Sequence, residues 1–349
     1  MKSGWLSEGQ RSTGFVEAFV ALTGARYGVL APNGTLALVL AATAAGLGAG
    51  DEVLVPDTTF YGSATAMCAL GAVPIPVEVD PECFLLDLDA AEASITPRTR
   101  AIMPVHLYGT ACDMAAVQRF AARHDLVVIE DAAQGVGVTS NGLHVGSASD
   151  FGAFSFFADK TITTGEGGFV TCRDEAMFDR LRYIRNQGRI DRGSFVHDEF
   201  GINYRLTDIQ AAIGLVQLSR LPEIIRRKQE TWGWYRDALD GIPGIRLVGA
   251  SPGANHVPFR CVVMADDGPV FRDALQAAGV QVRTGFYPVH AQPGLLKWFD
   301  RHARQMPAGP NGFAASLGHY EGAVLLPVHQ DVTEADVARI AAVARGLGA

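Results

Sequence analysis

The sequence predicts an α/β fold: a mostly parallel sheet with helices on both faces, plus a smaller C-terminal α+β domain. Three observations carry this. Short β-branched runs alternate with Ala-rich runs through the first two-thirds of the 349 residues, the pattern of parallel strands joined by crossover helices. After residue 150 that alternation changes character. A Gly/Pro cluster at 241–244 (GIPG) then punctuates the chain. The expected organisation is an N-terminal arm at 1–11, a large domain at 12–240 and a small domain at 241–349.

In order, the runs at 27–30, 52–55, 73–77, 101–105 and 127–130 read as buried strands. Helical patterns lie between them at 36–45, 63–70, 88–94 and 114–123. The aromatic run 151–157 and the run 169–172 read as two strands around the loop 158–168. Helices are expected at 175–187, 207–218 and 221–240, the last ending at the GIPG cluster. Beyond it, segments at 256–264, 270–278, 281–284, 324–326 and 333–346 supply the small domain. Ligands of such sheets bind beyond the carboxyl ends of the strands. Attention therefore falls on residues 33–35, 56–60, 106–109 and 131–134.

Composition narrows the function classes. Apolar residues make 48% and charged residues 19%, enough for a large core and against disorder. A net charge of −8 disfavours nucleic acid as a partner. Five dispersed cysteines without a C-x-x-C pair suit reduced thiols in a cytoplasmic protein. The stretch 36–50 is interrupted by Thr43, Gly46, Gly48 and Gly50, so no membrane span is expected. No H-E-x-x-H or close metal-ligand spacing occurs among the nine histidines, so no metal is expected. No G-x-G-x-x-G follows a strand and no G-x-x-x-x-G-K-[ST] loop exists.

The chemistry-bearing residues cluster at strand ends. Lys160 closes the aromatic run FSFFADK and opens the small, hydroxylated loop TITTGEGG. Apolar flanks lower an ammonium's pKa towards a nucleophilic amine, and a Gly-rich loop admits an anion. A nucleophilic lysine beside a phosphate cradle points to pyridoxal 5′-phosphate (PLP). That cofactor needs a carboxylate for its pyridine nitrogen, and Asp131 ends a buried strand. Gln134 can reach the phenolic oxygen, and Gly34 with Thr35 opens a helix whose N-terminus suits phosphate. Ser155 offers a further hydroxyl, and Phe60 a ring to stack. Plainer roles stay open for each: a surface lysine in a hairpin, an N-cap at Asp131, an ordinary helix start at Gly34, a core aromatic at Phe60.

Along nearly the whole chain these segments resemble the DegT family of PLP-dependent nucleotide-sugar aminotransferases, of aspartate-aminotransferase fold type I. The matching motifs are GWLSEG at 4–9, GDEVLVP at 50–56, ITPR at 95–98, PVHLYG at 104–109, EDAAQ at 130–134, FSF at 154–156 with Lys160, GEGG at 165–168, GINYRLTDIQAA at 201–212 and LLPV at 325–328. Asn33 stands where the family often has serine. A related branch that removes a sugar hydroxyl carries histidine at the position of Lys160, so the lysine points to amine transfer.

The resemblance implies roles for these residues. Lys160 carries the cofactor and shuttles the proton, Asp131 binds the pyridine nitrogen, and Gln134 lies near the phenolic oxygen. Thr35, Gly34 and Ser155 hold the phosphate, and Phe60 stacks on the ring. Asn203 reaches the phosphate of the neighbouring subunit, which implies a homodimer with shared active sites. The implied partners are an amino-acid donor, L-glutamate, and a nucleotide-linked ketosugar. Residues 186–188, 201–215 and 287–293 look closest to the GDP-perosamine synthase branch, which aminates C4 of GDP-4-keto-6-deoxymannose. The alternatives are a dTDP- or UDP-linked 3- or 4-keto sugar or a keto-inositol. Arg189, Arg192 and Arg283 are candidate diphosphate contacts or solvated surface arginines. A reading of another class, a non-catalytic PLP-fold sensor or regulator, would be signalled by loss of the lysine or aspartate, and both are present.

Overall fold

The computed structural model describes residues 5–189, 193, 195–309 and 311–347. Its main strands are β1 (Tyr27–Ala31), β2 (Glu52–Pro56), β3 (Val73–Val77), β4 (Thr99–Ile102) and β5 (Val127–Asp131). After a small hairpin of β6 (Thr139–Ser140) and β7 (Leu143–His144) come β8 (Phe151–Ser155) and β9 (Gly168–Cys172). Seven of these form one sheet in the order β1-β9-β8-β5-β4-β2-β3. Every pairing from β3 across to β8 is parallel. Only β9 runs against its neighbours.

Helices cover both faces. On one lie α2 (Gly34–Ala44), α3 (Gly62–Cys68) and α6 (Glu175–Arg185), and on the other α1 (Gln10–Thr23) and α5 (Met114–His124), while α4 (Leu88–Ala93) follows β3. Successive strand residues face opposite ways. Val53, Val55 and Ile129 thus pack with Leu38 and Leu40 of α2. Leu54, Ile102 and Val128 pack with Val117 and Phe120 of α5. Seven of the eleven residues of α2 are buried, and Asn33 caps it by accepting the Leu36 N–H at 2.9 Å.

One expectation is corrected, and one element is new. Residues 10–23 form α1, and nothing local announced it, because Gly9 makes no side-chain cap. The cap comes from 199 residues away. Asp208 accepts the N–H groups of Gly9 at 2.8 Å and Ser12 at 2.9 Å, and the Ser12 hydroxyl at 2.7 Å. The helices expected at 207–218 and 221–240 are one helix, α7 (Asp208–Leu239), that runs through Pro222. Proline inside a helix costs about 3 kcal/mol. Leu221 and Ile224 on either side of it are buried with Phe15, Phe19 and Phe156, and that packing holds the helix straight through.

The second sheet runs β10 (Ile245–Leu247), β11 (Cys261–Ala265), β13 (Ala323–Leu326), β12 (Arg283–Thr284). Around it lie α8 (Gly268–Ala277), α9 (Pro293–Arg301), α10 (Ala314–Gly322) and α11 (Glu334–Leu347). Of these, α9 and α10 were not expected from the sequence. Tyr235 and Leu239 of α7 belong to this sheet's core. A further cluster joins Leu54 and Ile102 to Val262 and Leu325, so the two sheets share packed side chains. Glu78 accepts from the Ala315 and Ser316 N–H groups at the start of α10. Asp57 binds both the N–H and the ring of His290.

Within the segment expected at 256–264, β11 starts only at Cys261. Residues 257–259 instead bond to the loop after β4, Val257 N–H to Gly109 O and Phe259 N–H to Tyr108 O. Gly109 has φ +92°, and a Cβ there would lie 1.9 Å from the Val257 carbonyl, so no other residue fits the crossing. Among the described residues no helix is long and apolar enough to cross a membrane.

Candidate active site

A cavity of about 570 Å³ opens beyond the carboxyl ends of β5 and β8 and is closed from the other side by residues of the second sheet. Asp131 forms its floor and is buried. Its backbone is locked between Pro104 and His106. Its carboxylate accepts from the Ser63 hydroxyl at 2.7 Å and from the Ala133 N–H at 3.1 Å. Ser63 in turn bonds to Thr59 at 2.9 Å. Asp131 is therefore an oriented carboxylate. The alternative of an N-cap drops out, since a turn and no helix follows it. Ser63 and Thr59 escaped the sequence reading, although 56–60 was marked as a strand end. The missing signal was helical phase, which turns the second residue of α3, Ser63, back towards β5.

Gly34 is the first residue of α2, whose opening N–H groups lack intrahelical acceptors. A Cβ on Gly34 would sit 2.7 Å from the Ser155 Cβ, so the helix start and the end of β8 touch only because this residue is glycine. Ser155 Oγ accepts the Phe157 N–H at 3.3 Å, which leaves its proton to donate. Gly34, Thr35 and Ser155 all line the cavity. Together they make an anion cradle of helix terminus and hydroxyls.

Lys160 follows β8 on a tight turn, its N–H bonded to Phe157 O at 3.0 Å. Its ammonium lies 4.6 Å from the centre of the Phe259 ring. Burial pulls its pKa below the usual lysine value, partly opposed by the negative charges of Asp159 and Asp131 and assisted by Arg260. It is a cavity group and not a surface lysine.

Phe60 is 61% exposed at the rim, edge-on to Phe286 at 6.3 Å, so it is not a core aromatic. Tyr108 stacks on Phe286 at 5.7 Å with 10° between the planes. The Gln134 Oε1 accepts the Tyr108 N–H at 2.7 Å, and its Nε2 is then the end able to donate into the cavity.

Beside Lys160, Asp159 pairs with Arg260 at 2.5 Å and lies 3.8 Å from Arg283. Of the arginines singled out in the sequence, Arg283 lines the cavity, Arg189 is not among its lining residues, and Arg192 lies outside the described residues. Arg260 was not singled out within the segment 256–264; a lone arginine in VPFRCVVM was the available signal. Asn203 is exposed, bridges to Asn186 and is not among the residues lining this cavity. Near it the described residues present Trp5, Leu6, Ile202, Ile209, Ile213 and Val216 to solvent, each 45–58% exposed.

The donor set fits pyridoxal phosphate. An anion cradle, a buried carboxylate, a carboxamide donor, a rim aromatic and a desolvated amine line one cavity. Among the described residues no group of three His, Cys, Asp or Glu side chains could hold a metal ion.

Known proteins were compared with the chain. The model of the DegT/DnrJ/EryC1/StrS aminotransferase family matches residues 1–345. The GDP-perosamine synthase of Caulobacter vibrioides is 39% identical over 356 residues, covering 98% of this chain and 91% of that protein. The UDP-N-acetyl-3-dehydro-alpha-D-glucosamine 3-aminotransferase of Acidithiobacillus ferrooxidans is 37% identical, covering 95% and 87%. Among solved structures, S. venezuelae DesV in complex with a ketimine intermediate superposes with a TM-score of 0.92 at 33% identity, over 99% of this chain and 91% of that one. With its α/β fold, its lysine-bearing cavity and a match along nearly its whole length, the chain belongs to the DegT/DnrJ/EryC1/StrS aminotransferase family.

Proposed function

We propose that this enzyme moves an amino group from L-glutamate to C4 of GDP-4-keto-6-deoxymannose, with pyridoxal phosphate held on Lys160. The single observation that carries the chemistry is the pairing of a desolvated Lys160 with an oriented, buried Asp131 in one cavity. When bound, the cofactor supplies an electron sink that makes the proton on the donor's α-carbon mobile. Lys160 takes that proton as the nearest base and returns one to the sugar carbon. Asp131, fixed by Ser63 and Ala133, holds a proton on the pyridine nitrogen. The α2 terminus with Thr35 and Ser155 would hold the phosphate, Gln134 would donate to the phenolic oxygen, and Phe60 would lie against the ring. The likeness to the Caulobacter GDP-perosamine synthase supports the sugar. The Acidithiobacillus relative supports a second reading, a UDP-linked 3-keto sugar.

The test supplies the purified protein with pyridoxal phosphate, L-glutamate and a panel of GDP-, dTDP- and UDP-linked ketosugars. The product mass is expected to show a carbonyl oxygen replaced by an amino group in the GDP-4-keto sugar. Amination of another member reassigns the substrate, and amination of none favours the sensor reading.

We also propose a homodimer in which Asn203 serves the neighbour's phosphate. Ile209, Ile213 and Val216 lie on one stripe of α7 and stay exposed beside Trp5 and Leu6, an apolar face suited to a second copy. Mixing inactive Lys160→Ala subunits with impaired Asn203→Asp subunits is expected to restore about half of normal activity per mixed dimer, since one of its two sites carries neither lesion. Verified exchange without recovery places each site within one chain.

A further inference from the structure

Three cationic groups converge on one carboxylate at the mouth of the cavity. Arg260 Nη2 is 2.5 Å from Asp159 Oδ2, and Arg283 Nη1 is 3.8 Å from the same oxygen. Asp159 directly precedes Lys160. The Phe259 ring carries the Lys160 ammonium 4.6 Å from its centre and the Arg260 guanidinium 4.5 Å from it. The other carboxylate close to Lys160, Asp131, is already engaged by Ser63 and Ala133. We propose that Asp159 is a resident counter-ion that occupies Arg260 until the carboxylate of the amino-acid donor displaces it. This rests on the aminotransferase reading above.

Distance decides which anion Arg260 takes. One carbon separates the amine and the carboxylate of an amino acid, so the group that grips the carboxylate must neighbour the lysine whose place the amine takes. Arg260 shares a ring with that lysine, and its side chain is only 18% exposed. A sugar nucleotide's diphosphate lies several bonds from the reacting carbon. The outer Arg283, 65% exposed, suits it better. A bidentate guanidinium–carboxylate pair is strong and planar. The donor gains that pair in full only when Asp159 lets go.

The exchange has a second effect. Once released, the Asp159 carboxylate still adjoins Lys160, and its charge favours the ammonium form. Arg260 stays neutralised throughout, first by Asp159 and then by the donor, so the net change at Lys160 is the freed carboxylate. Seating the donor would therefore make Lys160 a better base at the moment it has a proton to accept. The same counter-ion keeps the empty site from holding stray anions.

The test is calorimetric titration of the full-length protein with glutarate, a dicarboxylate without an amine and so beyond turnover. Asp159→Asn is expected to bind glutarate about 5- to 20-fold more tightly than the unaltered protein, as removal of a half-buried competitor predicts. Asp159→Glu, which keeps the competing charge, should stay within about twofold, and Arg260→Met should lose at least tenfold. In steady state the Asn variant should show a lower KM for L-glutamate together with a lower kcat. A merely structural Asp159 would weaken glutarate binding on removal. Should the Asn variant misfold, Asp159→Ser carries the same expectation. Unchanged or weaker glutarate binding in a folded variant overturns the proposal. So does tightening seen with inorganic diphosphate and not with glutarate, which would give Arg260 to the sugar nucleotide. Failure of the proposed function is separate: no ketosugar would be aminated, while glutarate binding would still report on Asp159.

Discussion

Lys160→Ala is expected to abolish amine transfer while leaving the fold and phosphate binding in place. The loss of acid–base function alone costs about 10²–10⁴-fold, and the lost covalent attachment adds to it. The fold should survive because the Lys160 side chain is held against burial and not by it: desolvation lowers its pKa, and a methyl group removes that penalty. The cradle at Gly34, Thr35 and Ser155 stays intact, so the cofactor should bind and exchange freely. The unaltered protein should be yellow, and borohydride should fix the cofactor to one peptide. A second buried lysine makes the experiment discriminating. Lys228 also has a lowered pKa, about 8, because burial disfavours its charge. However, it donates to the carbonyls of Pro258 at 3.2 Å and Val328 at 3.5 Å and does not line the cavity. A label on the Lys228 peptide, or transfer by the Lys160→Ala variant above a tenth of normal, contradicts the assignment.

Asp131→Asn is expected to slow both half-reactions by about 10²–10³-fold, the loss typical when one preorganised electrostatic partner is removed from a closed site. The carboxamide keeps the volume, can still accept the Ala133 N–H and can bond Ser63, whose hydroxyl donates or accepts. What it lacks is the charge that holds a proton on a pyridine nitrogen. Turnover should therefore fall far more than cofactor affinity, which stopped-flow absorbance and equilibrium dialysis measure separately. Equal losses in both would mean that Asp131 only shapes the pocket.

Much of this site was legible because its parts sit at strand ends, where a one-dimensional pattern already says where a residue lies. Lys160, Asp131, Gln134, Gly34, Thr35, Ser155 and Phe60 all line the one cavity. Residues placed by long-range geometry were not legible. Arg260 arrives because its segment crosses over Gly109 before β11 begins. Ser63 reaches Asp131 from 68 positions away. The start of α1 is capped by Asp208, so no local signal existed. Pro222 marked a break that packing overrode. Asn203 does not line this cavity, and the role proposed for it lies in the site of a second copy.

The continuity of α7 bears on how such a protein can be cut and recombined. At 1.5 Å per residue its 32 residues extend about 48 Å. One end is sewn to the start of α1 through Asp208, and the other lends Tyr235 and Leu239 to the second sheet. A chimera joined at the Gly241 turn, where the sequence invites the scissors, would leave those two side chains on the wrong fragment. The exchangeable module begins inside the helix, before Trp232, which packs against the same cluster as Tyr235 and Leu239. Any splice there must also keep phase. A single inserted residue would rotate everything downstream by about 100° and aim Tyr235 away from the sheet it seals.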